Sequence, residues 1–230
     1  MSALHPIAFL LDVDNTLLDN DAAQNDYRDH LKLECGAAAA DRYREIFEGL
    51  SKQLGYADYL GALQAYRLED THDPRLFVMS AFMLDYPFRD RLFPNALDVI
   101  RHLRTMGLVV IVSDGDVVFQ PRKIERSGLW QAVDGNVLIY VHKEREINDI
   151  ERRYPASHYI MVDDKLRILT AMKQVWGDRA TTVFPHQGHF ALDPQALAEY
   201  PPADIEIGHI GDLLKYDLAM LSSPRRDHRA

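Results

Sequence analysis

Short apolar segments that stop at polar residues recur along the chain. Four of them are rich in large aliphatic residues, namely IAFLL (7–11), LVVIV (108–112), VLIYV (137–141) and YIMV (159–162). Two weaker segments are TTVF (181–184) and DIEI (204–207). Apolar runs of this length without alternation are typical of strands that are buried on both faces, as in a parallel sheet. The pattern therefore predicts a parallel sheet of up to six strands.

Segments with helical periodicity lie between these runs. They are NALDVIRHLRTMG (95–107), VVFQPRKIERSGL (117–129) and KLRILTAMKQVWG (165–177). Glycine often follows the last turn of a helix, so we predict that these helices end at Gly107, Gly128 and Gly177. The second helix is predicted to begin near Pro121. The alternation of strands and helices predicts an α/β doubly wound fold.

Residues 20–90 interrupt this alternation. The segment has no convincing strand, but it contains AAAADRYREIFEGLSKQLG and YADYLGALQAYRLED, which are helical in period and composition. A helical segment of this length directly after the first strand indicates a separate module. We therefore predict an α/β core formed by residues 1–19 and 91–230, and an inserted helical domain formed by residues 20–90.

The net charge bears on the kind of partner, and the cysteine content bears on the compartment. The 230 residues carry a formal net charge of -9, which disfavours a nucleic-acid backbone or an anionic membrane as partner. Cys35 is the only cysteine, so no intrachain disulfide is possible, which fits a reducing compartment. The chain starts without a basic leader, and no apolar stretch approaches the roughly 20 residues that span a bilayer. We expect a soluble, cytoplasmic protein with no nucleic-acid or membrane partner.

Polar residues with chemical potential follow the predicted strands. They are Asp12, Asp14, Ser113, Lys143, Asp163 and Asp164. Because the carboxyl ends of parallel strands share one edge of the sheet, these side chains should gather there. Like charges at close range require a cation, a shared proton or access to water. Four carboxylates suit a hard cation such as magnesium, and the serine and lysine add donors for a phosphate group.

The sequence around these residues resembles the haloacid dehalogenase superfamily. DVDNTL (12–17) is similar to the first motif of that family, Asp-x-Asp-x-Thr. VIVSD (110–114) resembles the second motif, VHK (141–143) the third and MVDD (161–164) the acidic fourth. The motifs occur in the family's order, and the helical insertion lies where family members carry a cap. The resemblance implies an α/β core with a helical cap.

The resemblance also implies a catalytic role for four residues. Asp12 would be the nucleophile and would form an aspartyl-phosphate intermediate. Asp14 would be the general acid that protonates the leaving oxygen, and then the base that activates water. Ser113 and Lys143 would hold the transferring phosphoryl group.

A magnesium site follows from the same resemblance. Asp164 would ligate the metal directly, Asp163 directly or through water, together with Asp12 and the backbone carbonyl of Asp14. Family members that displace halide lack an acid two residues after the nucleophile, whereas Asp14 is present here. We therefore predict a magnesium-dependent phosphatase that acts on a small phosphorylated metabolite.

Alternative functions, and simpler roles for single residues, stay open. The chain could be a phosphomutase of the same architecture, a non-catalytic phosphate switch, or a degenerate family member that binds a partner through its cap. Taken alone, Ser113 could cap a helix, Lys143 could belong to a solvated charge run, and Asp163 could cap the helix that follows. The arrangement of all six residues at successive strand ends favours the enzyme.

Residues that select the substrate are expected in the inserted domain. The basic candidates there are Arg42, Arg44, Lys52 and Arg67. We favour residues 50–53, at a possible helix end. Outside the insertion, His186 and His189 have a spacing that can serve a metal site, but no third ligand is near in sequence, so we predict a loop without metal.

Overall fold

A six-stranded parallel sheet forms the centre of the protein. The computed structural model describes residues 4–69 and 73–222. The strands are β1 (His5–Leu11), β2 (Leu108–Asp114), β3 (Val137–Tyr140), β4 (Ala156–Val162), β5 (Ala180–Pro185) and β6 (Ile205–Ile207). They lie in the order β3-β2-β1-β4-β5-β6, and each neighbouring pair is parallel. The predicted α/β fold with a parallel sheet is confirmed.

The central strand β1 shows why these segments are apolar throughout. Its residues Ala8, Phe9, Leu10 and Leu11 are fully buried. Phe9 and Leu11 point into one hydrophobic layer, and Ala8 and Leu10 point into another on the opposite face of the sheet. A strand with a packed layer on each side has no polar face, which is the reason for the unbroken run.

Helices cover both faces of the sheet. In chain order they are α1 (Asn20–Cys35), α2 (Ala37–Leu54), α3 (Tyr59–Arg67), α4 (Arg75–Asp85), α5 (Ala96–Arg104), α6 (Phe119–Ser127), α7 (Leu129–Ala132), α8 (Ile147–Arg153), α9 (Leu166–Trp176), α10 (Gly188–Ala191), α11 (Pro194–Glu199) and α12 (Leu218–Ser222). Short 3-10 turns occupy Phe88–Arg91, Lys143–Arg145, Gly177–Arg179 and Ile210–Lys215. None of the described helices is both long and apolar enough to cross a bilayer.

Two of the three predicted helix ends are confirmed. Gly128 and Gly177 follow α6 and α9 with positive φ angles of 84° and 55°, which glycine adopts without strain. The prediction for Gly107 is wrong, because α5 ends at Arg104. Gly107 lies against β1, where a Cβ atom would stand 2.8 Å from the carbonyl oxygen of Ile7. Its role is therefore close backbone approach rather than helix termination.

The start of α6 also differs from the prediction. The helix begins at Phe119, two residues before Pro121. The carboxylate of Asp116 accepts hydrogen bonds from the backbone amides of Val118 (2.8 Å) and Phe119 (2.7 Å). This interaction satisfies amides that the first turn leaves without a helical partner.

Residues 20–90 are called here the helical insert. The two segments that connect the helical insert to the rest of the chain run next to each other. The amide of Asp19 donates to the carbonyl of Arg91 (2.7 Å), and the amide of Phe93 donates to the carbonyl of Leu17 (3.0 Å). Within the insert, α1 packs against α2 and α4, and α3 packs against α2 and α4. The division into a core of residues 1–19 and 91–230 and an inserted domain of residues 20–90 stays a prediction, and residues 1–3, 70–72 and 223–230 lie outside the described chain.

Aromatic rings join the helical insert to α6. The ring of Phe119 lies 5.1 Å from that of Tyr59 and 6.2 Å from that of Tyr27, measured between centroids. All three side chains are almost completely buried. The helical insert is therefore packed against the core through α6 as well as through its two connecting segments.

Candidate active site

The carboxyl ends of the central strands bring the predicted residues to one edge of the sheet. β1 lies between β2 and β4. Strands β2 and β3 lie on one side of β1, and the later strands β4, β5 and β6 lie on the other, so the strand order reverses at β1. Ligands of open α/β sheets bind at such a reversal of strand order. Asp12 directly follows β1, Ser113 lies near the carboxyl end of β2, and Asp163 directly follows β4.

Lys143 connects two of the carboxylates. Its ammonium group donates a hydrogen bond to Asp12 Oδ1 and another to the carbonyl of Val112 (3.3 Å). It also lies 2.7 Å from Asp163 Oδ2, as an ion pair without hydrogen-bond geometry. Lys143 is fully buried. Burial alone would lower the pKa of Lys143, but the nearby carboxylates of Asp12 and Asp163 raise it above its usual value, so the side chain is charged.

Asp12, Asp163 and Asp164 form a buried acidic cluster. One ligand oxygen from each lies within 4.8 Å of the others. Within the described chain, Asp12 Oδ2 and both carboxylate oxygens of Asp164 are buried without a hydrogen-bond partner. Burial raises the pKa of Asp163 and of Asp164. Three converging carboxylates with unsatisfied oxygens fit the donor set that a hard divalent cation requires.

The loop after β1 fixes the position of Asp164. The amide of Asp164 donates to the hydroxyl of Thr16 (3.1 Å), which is the threonine of the DVDNT motif. The amide of Asp12 donates to the carbonyl of Val162 (3.0 Å) at the end of β4. The carboxylate of Asp163 accepts from the amide of Lys165 (2.9 Å), which directly precedes α9. These contacts hold the acidic residues of two neighbouring strands in one place.

Asp14 has a different environment. Its Oδ1 lies 2.7 Å from the ammonium group of Lys123, and its Oδ2 accepts from the side-chain amide of Gln120 (3.3 Å). Lys123 also donates to Asn20 Oδ1 (2.9 Å). The side chain of Asp14 is 22% exposed, whereas that of Lys123 is fully buried. The structure therefore places Asp14 at the surface of a cleft, with a buried lysine behind it.

Ser113 and Asp114 complete the second strand end. The hydroxyl of Ser113 accepts from the amide of Gln120 (2.8 Å), and Ser113 is only 1% exposed. Asp114 Oδ1 accepts from the backbone amide of Lys143 (2.7 Å), which ties β2 to the turn that carries the lysine. Burial raises the pKa of Asp114, although Lys143 acts in the opposite direction.

Sequence reasoning missed Asn20, Asp114, Gln120 and Lys123. Asp114 stands beside a predicted residue in the SD pair, so its place after an apolar strand was a usable signal. Gln120 and Lys123 lie within a helix whose polar residues look solvated in the sequence. Nothing local distinguishes them from Arg122 or Glu125 on the same helix, because their environment depends on residues that are remote in sequence: Ser113 and Asp14 for Gln120, and Asp14 and Asn20 for Lys123.

A cleft with a volume of about 520 Å³ lies between the strand ends and the helical insert. On the core side it is lined by Asp14, Asp114, Gln120, Lys165 and Phe190, and on the other side by Phe47, Glu48, Ser51, Lys52 and Tyr56. Asp14 is thus the predicted catalytic residue that faces this space. The favoured segment 50–53 contributes Ser51 and Lys52.

The other basic candidates of the helical insert have partners elsewhere. Arg42 pairs with Glu69 (2.6 Å) and with Glu45 (2.8 Å). The guanidinium of Arg67 lies 5.3 Å from the ring centroid of Phe77. Arg44 lines a smaller neighbouring cavity rather than the cleft. Lys52 is therefore the candidate that the structure brings to the cleft.

The two histidines of the FPHQGHF segment have separate partners. His186 Nε2 lies 3.0 Å from Glu206, and His189 Nδ1 lies 2.7 Å from Asp21 at the start of the helical insert. The amide of His189 donates to the second oxygen of Asp21 (2.9 Å). Burial alone would raise the pKa of Asp21, but the hydrogen bonds from His189 lower it below its usual value. The arrangement fastens this loop to the base of the helical insert.

A second contact joins the helical insert to the loop before Lys143. Gly55 ends α2 with a φ angle of 80°. A Cβ atom at Gly55 would stand 2.5 Å from Cε1 of His142. The left-handed backbone favours glycine here, and a larger residue would also have to displace the imidazole of His142. The C-terminal end of α2 is therefore seated against the core at the rim of the cleft.

The comparisons with known proteins agree with the fold and the motifs. The family model of haloacid dehalogenase-like hydrolases matches residues 8–175. A haloacid dehalogenase-like hydrolase from Burkholderia xenovorans LB400 is 60% identical, with a TM-score of 0.89, over 93% of this chain and 99% of that chain. No curated protein matches the sequence significantly.

More distant solved structures share the fold. The HAD-hydrolase YfnB from Bacillus subtilis, bound to magnesium, is 18% identical with a TM-score of 0.59, over 90% of this chain and 96% of that chain. An L-2-haloacid dehalogenase from Xanthobacter autotrophicus is 16% identical with a TM-score of 0.60, over the same shares of the two chains. At such identities the likeness concerns the fold alone. The family match and the Burkholderia relative together show that the chain belongs to the haloacid dehalogenase-like hydrolases.

Proposed function

We propose that this hydrolase is a magnesium-dependent phosphatase that acts on a small phosphorylated metabolite through an aspartyl-phosphate intermediate. The observation that carries the proposal is Asp14. It is a carboxylate two residues after Asp12, it faces the cleft, and both of its oxygens are held by core side chains. A phosphate ester with a poor leaving group needs a proton donor at this position, whereas displacement of halide does not.

Asp12 is the proposed nucleophile. One of its oxygens is held by Lys143, and the other is without a hydrogen-bond partner in the described part of the chain. Attack on phosphorus forms the bond between Asp12 and phosphorus and breaks the bond to the leaving oxygen. Lys143 offsets the negative charge that would otherwise keep the phosphate group away from the carboxylate.

Asp14 is the proposed proton carrier. In the first step it gives its proton to the leaving oxygen, and the alcohol departs. In the second step it takes a proton from water, which attacks the aspartyl phosphate and releases inorganic phosphate. Asp12 and Asp14 then return to their starting states, so one pair of carboxylates serves both half-reactions.

Ser113 and Lys143 are the proposed phosphoryl-binding residues. Both lie at strand ends next to Asp12, and Gln120 orients the serine hydroxyl by donating to it. Their donors face the same edge of the sheet as the nucleophile. The phosphoryl group is thereby held in the place where charge develops during transfer.

Magnesium is the proposed cofactor. Asp12, Asp163 and Asp164, with the backbone carbonyl of Asp14, would hold it. When bound, the ion polarises phosphoryl oxygens and neutralises part of their charge. The support in this structure is the set of buried oxygens of Asp12 and Asp164 that have no hydrogen-bond partner in the described ranges 4–69 and 73–222. The ammonium group of Lys143 does not balance the cluster alone, because Asp12 and Asp163 share it.

The proposal is tested by a panel of phosphorylated metabolites and 2-haloacids. With magnesium, we expect release of inorganic phosphate from some phosphate esters and no halide from any haloacid. Asp12→Asn is the matched control, because it keeps size and shape but removes the nucleophile. Halide release without phosphate release would favour a dehalogenase, and an isomerised sugar phosphate without free phosphate would favour a phosphomutase.

A further inference from the structure

We propose that Lys123 is a positioning residue that holds Asp14 for proton transfer, and that the helical insert controls this position through Asn20 and Tyr59. The inference rests on the proposed phosphatase function. It concerns a residue inside helix α6, which lies outside the four motifs that define the family resemblance.

Lys123 occupies a site built for a buried cation. Its side chain is fully buried, and its ammonium group lies 2.7 Å from Asp14 Oδ1 and 2.9 Å from Asn20 Oδ1. The faces of Tyr59 and Phe119 flank it, each with a ring centroid 5.6 Å away. Burying an ammonium group is costly unless it is paired and hydrogen-bonded. The site is therefore specific for a lysine charge rather than an incidental surface contact.

The hold on Asp14 depends mainly on this lysine. Within the described part of the chain, the other hydrogen bond to its carboxylate is the longer one from Gln120, at 3.3 Å. Asp14 is also partly exposed to the cleft, so a carboxylate released by Lys123 can turn toward water. Proton transfer needs a donor within hydrogen-bond reach of the leaving oxygen, and small displacements reduce the rate strongly.

The helical insert supplies the other half of the lysine site. Asn20 is the first residue of α1, and Tyr59 is the first residue of α3. The amide of Asn20 donates to the hydroxyl of Tyr59 (3.0 Å) while its oxygen accepts from Lys123. A continuous path thus runs from the helical insert through Lys123 to Asp14. Movement of the insert away from α6 removes Asn20 and the Tyr59 ring from the lysine, and Asp14 loses its fixed position.

The test uses Lys123→Met, which keeps an unbranched side chain between the two rings but removes the charge. The full-length protein, saturated with magnesium, is assayed on a series of substituted phenyl phosphates whose phenols differ in acidity. We compare kcat/KM, because it reports the steps up to departure of the phenol. Good leaving groups depart without a proton, whereas poor ones need Asp14.

We expect a selective loss. In Lys123→Met, kcat/KM should fall by about 10²-fold for the least acidic phenol and by only a few-fold for p-nitrophenyl phosphate, within the range of positioned proton transfer. Tyr59→Phe removes one hydroxyl and keeps both rings, so it should show the same trend more weakly. Lys173→Met makes the same substitution at an ion pair with Asp204, outside the cleft, and should leave the trend unchanged.

A double variant separates positioning from general loss of structure. If Lys123 acts through Asp14, Lys123→Met should cost little in a protein that already carries Asp14→Asn. Equal losses for all substrates, or additive losses in the double variant, would overturn the inference. If Lys123→Met does not fold, Tyr59→Phe is the deciding variant: a loss of kcat/KM that does not increase as the phenol becomes less acidic would overturn the inference. Absence of phosphate release by the wild type on every ester would instead overturn the proposed function, and the inference with it.

Discussion

Asp12 and Asp14 stand two residues apart, yet their surroundings are opposite in electrostatic character. Asp12 belongs to a cluster of three buried carboxylates, two of which share Lys143, and several oxygens of that cluster have no partner among the described residues. Asp14 has an ammonium group on one oxygen and an amide on the other. The acidic cluster has three carboxylates against the two ammonium groups of Lys143 and Lys165, so when all of them are ionised it leaves a deficit of positive charge that a cation can fill. The surroundings of Asp14 are complete within the protein.

This contrast separates what the chain provides from what a ligand must provide. Buried carboxylates without partners destabilise the fold and repel one another, so the acidic cluster is arranged at a cost in stability. The Asp14 network avoids this cost because each charged atom meets a donor or acceptor. We expect perturbations of the cluster to act on metal binding and stability, and perturbations of the network to act on proton transfer.

The largest effect is expected from Asp12→Asn. An amide is a poor nucleophile, so phosphate release should fall below detection while the fold is retained. Assays of phosphate release, together with thermal unfolding, check this. Retention of more than a few per cent of wild-type turnover by a homogeneous sample would remove Asp12 from the role of nucleophile.

Chelation of metal should give a comparable but reversible loss. We expect activity to vanish in excess chelator and to return with magnesium. Calcium should inhibit, because it is larger and accepts 6–8 oxygens, so it can occupy both oxygens of Asp12. Asp164→Ala should raise the magnesium concentration required for half-maximal activity more than Asp163→Ala, because both oxygens of Asp164 are without a hydrogen-bond partner among the described residues. Full turnover of a protein shown to be metal-free would contradict this account.

Asp14→Asn should have an intermediate effect. Loss of the proton carrier should lower kcat by about 10²–10⁴-fold. KM should change little, because Asp12 and Lys143 keep their contacts with each other. Steady-state kinetics on an alkyl phosphate measure both constants. A change confined to KM would show that Asp14 binds substrate rather than moving protons.

The smallest effect concerns the stability of the metal-free protein. Burial raises the pKa of Asp163 to about 6, and raises that of Asp164 in the same direction. The folded state therefore keeps protons that the unfolded state loses above about pH 4. The contribution of Asp163 to stability is complete below that pH and is lost as the pH rises through about 6, and the contribution of Asp164 has the same sign.

Asp164→Asn isolates this contribution. With magnesium removed by a chelator, the variant should be more stable than the wild type at high pH, and the difference should shrink as the pH falls and Asp164 keeps its proton. Urea unfolding of both proteins as a function of pH measures it. Magnesium should reverse the order, because it stabilises the wild type. A difference independent of pH would show that the carboxylate is not strained in the folded state.

The sheet was predictable from the sequence because buried parallel strands carry their signal locally. Both faces of β1 are apolar, and the run ends where Asp12 leaves the sheet. Shared strand polarity then placed Asp12, Lys143 and Asp163 together without knowledge of any contact. By contrast, Gly107 was assigned to a helix end because proximity to Ile7 in another strand cannot be read from its neighbours in sequence.

Lys123 marks the limit of this reasoning within the site. A lysine among Arg122, Glu125 and Arg126 has the appearance of a solvated helix face. Lys123 is buried because Asn20 and Tyr59 of the helical insert lie against this part of α6. The sequence contains no local signal for how the helical insert packs against the core. Strand-end residues were predictable from topology, whereas residues at the contact between the two parts of the chain required the structure.

The C-terminal turns of α2 have a consequence for protein engineering. Glu48, Ser51 and Lys52 line the cleft, while α2 is held by other positions: the buried residues Ala40 and Tyr43 near its start, and Gly55, which lies against His142 at its end. The positions that face the ligand and the positions that hold the helix are therefore encoded separately. One short degenerate oligonucleotide can vary all three cleft codons together, so directed evolution of a new preference can begin from this helix with the strand ends left untouched.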